Sequence, residues 1–248
     1  MSRPRAGIVL VGAACVVLLA VVVIRVVGLW AGSDGPPADE PQPSPPPASA
    51  DDTANVATFD DPEVVQVVGV LDSFARPDDD NVLGVVPSGP PWSNDTGGWG
   101  IAGEQAYVPS PAAGRNHAVV DRGQGNGAVQ VELSRVVHGA GLLFRYQDPQ
   151  NYWAVVVAPS YATWAVVKVV DGIEETVGNT GLSPIADGTT VGVRMTDSIV
   201  DIVLDERVAT TIVDDTLRDA GKVGLTAHSM PGVDAAAARF DDFVVSMP

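Results

Sequence analysis

One stretch of the chain gathers stacking rings and charged donors: GLLFRYQDPQNYWAVVVAPSYATWAVVK, residues 141–168. Within it lie Arg145, Trp153, Tyr161, Trp164 and Lys168. Sugar rings offer apolar C–H faces that stack on aromatic side chains, and hydroxyls that bond charged groups. These five residues are therefore the candidate ligand-binding set, and a glycan or other envelope polymer is the expected partner. A second chemistry is cation binding. Asp78, Asp79 and Asp80 in RPDDDN, and Asp214 with Asp215 in VDDT, carry the hard oxygens that calcium takes. The competing reading of those acids is a set of solvated loops.

Other chemistry has less support. No G-x-S-x-G nucleophile elbow is present. His117, His138 and His228 are far apart, with no spacing that would gather a transition metal. GQGNG (123–127) lacks a following helix and lysine, so it reads as a turn and not a phosphate loop. The formal net charge is -17. Such acidity repels phosphate backbones and argues against nucleic acid as a partner.

The elements that position these residues read as β throughout. GAVQVELSRV (127–136) alternates, with Val129, Val131 and Leu133 on one face. Residues 191–204 read as a hairpin turning at Thr196, Asp197 and Ser198. VQVVGVL (65–71), VATTIV (208–213), KVGLTAH (222–228) and FDDFVVSM (240–247) add strands. Strict alternation along 141–147 places Leu143 with Arg145, and Leu142 and Phe144 with Tyr146. Asp148 and Asn151 suit the turn that follows, so the hairpin is first a packing element and second a binding edge. Many short strands at regular spacing predict a sandwich or barrel.

The N-terminal quarter differs. Residues 7–24, GIVLVGAACVVLLAVVVI, carry no charge, and Arg25 precedes a further apolar run to Ala31. Eighteen residues of helix span roughly 27 Å, close to the hydrocarbon thickness. Arg3 and Arg5 precede this run and acids follow it, which predicts an uncleaved signal anchor at 7–31 with residues 1–6 in the cytoplasm; the competing reading is a signal peptide cleaved near Ala31 and Ser33. Cys15, the single cysteine, lies inside the run and lacks a lipidation context. Residues 32–56 are rich in proline, acids and small residues, a disordered spacer. The folded domain is expected at 57–248, outside the cell membrane.

Several pieces then fall in one order: LDSFARPDDDNVLG (71–84), WGIAGEQAYV (99–108), HAVVD (117–121), GLLFRYQDPQNYWAV (141–155), VGVRMTDSIVDIVLDE (191–206), AGKVGLTAH (220–228) and ARFDDFVV (238–245). This series resembles the laminin-G-like, concanavalin-A-like jelly-roll domains of bacterial surface proteins. The resemblance implies an all-β, antiparallel jelly-roll sandwich. It also implies that the last strand lies beside the first, with Phe74, Phe240 and Phe243 filling the core where the termini meet. Family 16 glycosidases on this fold carry Glu-x-Asp-x-x-Glu, which is absent here. The expectation is a non-catalytic, membrane-anchored domain that binds carbohydrate. A structural or protein-interaction sandwich, and a hydrolase acting on a sugar derivative, are the alternatives.

Overall fold

The computed structural model describes residues 67–247 apart from 88, 161, 183 and 184. The anchor at 7–31, Cys15, the spacer at 32–56, the first residues of the domain and Tyr161 lie outside the described residues. Among the described residues no helix is long and apolar enough to cross a membrane.

The strands are β1 (Val67–Asp72), β2 (Ser93–Thr96), β3 (Gly98–Ala102), β4 (Gln105–Ser110), β5 (Gly114–Asp121), β6 (Gly127–Arg135), β7 (Gly141–Asp148), β8 (Asn151–Val157), β9 (Trp164–Val170), β10 (Ile173–Asn179), β11 (Thr189–Thr196), β12 (Ile199–Leu204), β13 (Arg207–Val213), β14 (Lys222–Ser229) and β15 (Arg239–Met247). They form two antiparallel sheets. The eight-stranded sheet runs β13-β12-β11-β6-β15-β4-β3, with β1 also on β15. The seven-stranded sheet runs β10-β9-β8-β7-β14-β5-β2.

Alternation decides what faces inward. Val129, Val131 and Leu133 of β6, Val191, Val193 and Met195 of β11, and Val200, Ile202 and Leu204 of β12 are all buried in the shared core. The seven-stranded sheet contributes Phe144, Trp153, Val155, Trp164 and Val166 to the same core. The first and last strands pair as expected, with Val70 opposite Val245 and Asp72 opposite Phe243. Phe240 and Phe243 both point inward although they are three residues apart. The left-handed Asp242 (φ 45°) and a register shift in β15 make this possible.

A buried carboxylate locks the end of β1. Asp72 accepts from the Phe74 backbone N–H at 2.9 Å, from Arg76 Nη1 at 2.7 Å and Nη2 at 3.1 Å, and from Trp92 Nε1 at 2.8 Å. Arg76 Nε also donates to the Leu83 carbonyl at 2.7 Å. A buried charge needs this degree of pairing to be tolerated. The network fixes Trp92 for its packing on Phe243, with ring centroids 4.9 Å apart.

The turn between β12 and β13 is built without glycine. Asp205 and Glu206 both take positive φ, 45° and 68°. A two-residue hairpin of this form prefers Asp-Gly, because a side chain in the left-handed region costs roughly 1 kcal/mol. Glu206→Gly is therefore expected to raise the thermal midpoint, which differential scanning calorimetry would read; a lower midpoint would contradict the turn assignment.

Candidate functional site

The hairpin β7–β8 carries the sequence-predicted binding residues. Arg145 sits at φ 44°, and the register of β7 against β8 and β14 shifts around it. This bulge turns the guanidinium inward at the end of the sandwich, where Arg145 is fully buried. Its Nη1 donates to the Asp214 carbonyl at 2.6 Å and the Thr216 carbonyl at 3.4 Å, and Nη2 donates to the Asp197 carbonyl. Trp153 lies alongside, its ring centroid 5.9 Å from the guanidinium carbon and its Nε1 donating to the Thr216 carbonyl at 3.1 Å. Lys168 Nζ approaches the same ring at 5.4 Å and pairs with Asp214 at 2.8 Å.

Arg145, Trp153 and Lys168 thus come together, as a clasp on the loop that follows β13. Trp164 lies at the other end of β9. Trp153 and Trp164 are both fully buried and offer no ring face to solvent. The reason is parity, since both belong to the inward-facing register of their strands. Tyr161 is outside the described residues.

The acids offered for calcium take part in hydrogen bonds within the protein. Asp78 accepts from the Gly103 N–H at 2.8 Å, Asp79 from the Asn81 N–H at 2.8 Å, and Asp80 from the Tyr107 hydroxyl. Asp79 serves its own loop, while Asp78 and Asp80 tie that loop to the β3–β4 hairpin. Asp214 is taken by Lys168 and by the Thr216 N–H at 2.7 Å. Among the described residues no three His, Cys, Asp or Glu side chains form a group able to hold a metal ion.

A different constellation occupies the outer face of the seven-stranded sheet. The bulge at Arg145 shifts parity by one, so Tyr146 joins Leu143 and not Phe144. Leu143, Ala154, Val156, Val167 and Val169 form an apolar floor, and Tyr146 and Tyr152 stack on it with centroids 5.8 Å apart. His117 meets both rings edge-on, at 5.5 Å and 4.7 Å. The Tyr146 hydroxyl donates to Asp95 Oδ2 at 3.0 Å. Arg115 crosses this face to make two bonds with Glu174, at 2.9 Å and 2.8 Å.

Four atoms in this patch are buried with no protein hydrogen-bond partner among the described residues: His117 Nδ1, His117 Nε2, Thr226 Oγ1 and Arg115 Nη1. They are neighbours by register, because Thr226 lies opposite His117 and His228 opposite Arg115. Alternation in RNH (115–117) and TAH (226–228) is the only sequence signal for this grouping. The pairing that joins the two segments is not contained in either.

Burial pushes the His117 imidazole down to about 3, and the Arg115 cation pushes the same way. Burial, then Arg115, also lowers His138 and His228. The Arg115 cation thus favours the neutral form of all three histidines. Burial raises Tyr152 to about 12 and lifts Tyr146 further, helped by Asp95. At neutral pH the patch holds uncharged imidazole and phenol groups, buried beside the Arg115–Glu174 ion pair. Where the same face meets the loop before β14, Tyr146, Gln147, Leu217, Arg218 and Lys222 line an open groove of about 560 Å³, rimmed by Asp121, Asp215 and Asp219.

Two outcomes follow. Trp164→Ala should cost about 3–5 kcal/mol in a denaturant titration, as a core tryptophan does. Between pH 6.5 and about 3 an unfolded His117 takes a proton that the native one refuses, so stability falls as pH falls through that window. The His117→Phe variant should lose up to roughly 1.4 kcal/mol per pH unit of that slope. An unchanged slope would place the acid sensitivity elsewhere.

No family model matches the chain, and no curated protein matches it in sequence. Solved structures do. The family GH43 protein BlXynB from Bacillus licheniformis matches with a TM-score of 0.50 at 15% identity, over 71% of this chain and 39% of its own. The carbohydrate-binding module CBM66 from Bacillus subtilis matches with a TM-score of 0.48 at 16% identity, over 61% of this chain and 92% of its own. SCLam, a non-specific endo-β-1,3(4)-glucanase of family GH16, matches with a TM-score of 0.47 at 11% identity, over 73% and 90%. At such identities the likeness is one of fold: the described residues form a concanavalin-A-like jelly-roll β-sandwich.

Proposed function

We propose that this chain is a membrane-tethered domain, facing outward, that binds a neutral polyhydroxylated polymer of the cell envelope on the outer face of the seven-stranded sheet. The tether is the apolar run at 7–31, oriented by Arg3 and Arg5. One observation carries the ligand reading. Both ring nitrogens of His117, the Thr226 hydroxyl and Nη1 of Arg115 are buried beside two tyrosines and have no protein partner among the described residues. Leaving such groups unpaired costs about 1–3 kcal/mol each. Hydroxyl pairs of a sugar match a neutral imidazole and a threonine hydroxyl, and the open groove beside Tyr146 offers a way onto the same face. The carbohydrate-binding character of CBM66, given in its name, agrees with this reading without carrying it.

The test is binding of soluble residues 57–248 to a glycan and envelope-polysaccharide array. The double variant His117→Phe, Thr226→Val removes three of the four unpaired atoms while keeping shape. It should lose array binding at least tenfold and melt no lower than the wild type, because two apolar groups replace two unpaired polar ones. Retained binding would remove this face from the proposal. A wild type that folds and binds no glycan would favour a protein-interaction role. The edge strand β13, with Val208 and Val213 exposed, is the surface that reading would use.

A further inference from the structure

Two arginines are enclosed at the end of the sandwich where the loops after β5 and β13 meet. Arg145 is 0% exposed and Arg122 is 7% exposed. Neither forms an ion pair among the described residues. Arg122 donates through Nη2 to the Gly125 carbonyl and to Met195 Sδ at 3.7 Å, while its Nε and Nη1 have no partner. Arg145 spends Nη1 and Nη2 on backbone carbonyls, while its Nε has none.

Asp214, Asp215 and Asp219 lend Arg145 electrostatic support, but no carboxylate bonds its guanidinium among the described residues. Asp214 and Asp197 turn their carbonyls to Arg145, but their carboxylates serve other groups. Asp214 bonds Lys168 and the Thr216 N–H, and Asp197 Oδ1 accepts from Asn126 Nδ2 at 3.4 Å. A guanidinium does not escape by losing its proton in the physiological range. Two such cations in one low-dielectric region repel each other, and burial followed by Arg145 lowers Arg122 to about 10.

We propose that the unclaimed N–H groups of Arg122 and Arg145 form the cationic wall of an internal site for a small monovalent inorganic anion of chloride size. Size follows from the loops above it. A Cβ on Gly125 would lie 1.8 Å from the Arg218 carbonyl oxygen, and one on Gly221 would lie 2.7 Å from the Gln124 nitrogen. Backbones that meet this closely favour a small inorganic anion over an organic carboxylate or a phosphate ester. The anion would supply the acceptor that no side chain provides and would fasten the two loops that border the Tyr146 groove. This assignment stands whether or not the outer face binds a glycan.

The experiment melts the full-length chain in a non-ionic detergent, in sodium chloride against sodium methanesulfonate at equal ionic strength and pH. Chloride at a hundredfold over its dissociation constant should raise the midpoint by roughly 5–10 °C. The Arg122→Gln variant should show no difference between the two salts. Equal melting of the wild type in both salts would mean that water meets these donors, and would overturn the site. A chloride effect that persists in Arg122→Gln would overturn the residue assignment. Should the variant not fold, bromide-soaked wild-type crystals decide: anomalous density within hydrogen-bond reach of Arg122 Nη1 and Arg145 Nε supports the site, and its absence refutes it.

Discussion

Burial of the Arg145 guanidinium is the constraint on which much of this sandwich depends. A side chain that keeps its charge sits fully inside, on a backbone twisted into the left-handed region. That conformation costs roughly 1–2 kcal/mol by itself. Three carbonyls from two separate loops offset it, and Trp153 packs against the planar group. The same twist moves Tyr146 to the opposite side of its strand. One residue therefore closes the end of the inner core and supplies the first aromatic of the outer face.

The outer face has its own electrostatic logic. The Arg115 cation disfavours protonation of His117, His138 and His228. Glu174 answers that cation from a strand at the sheet's far edge. The apolar floor lowers the local dielectric, which strengthens both effects. What results is neutral histidine chemistry held in place by an ion pair, a different arrangement from the metal-binding histidine clusters that share its residue types.

Much of the fold was legible in the chain. The period-two pattern of Val129, Val131 and Leu133, and the hairpin turning at Asp197 and Ser198, needed only local rules. The meeting of Phe74, Phe240 and Phe243 came from the family resemblance, and all three are buried. The site was much less legible. Strict alternation put Tyr146 with Phe144, because nothing in FRYQ announces a left-handed arginine; glycine is the usual mark of such a bulge. Trp153 and Trp164 satisfied the composition of a sugar platform, yet the same rings are what a sandwich core requires. Arg115, His117, Thr226 and His228 carried no motif at all. Their grouping depends on the β5–β14 register, which is set by segments more than a hundred residues apart.

The pairing of β1 has a mechanical consequence. Among the described residues this strand is joined to one neighbour, β15, and Val67 at its leading end lies opposite Met247 near the chain's end. Any pull transmitted from the residues before Val67 enters the sandwich through that single ladder. Its weakest point is the irregular register between Val68 and Val70. Its firmest is Asp72, where four donors tie the strand to Arg76 and Trp92. Under tension the strand would shear along β15 until it reaches this clamp. Val70, ahead of the clamp, already belongs to the core shared by both sheets, so a pull on β1 bears on that core as well as on the β15 ladder.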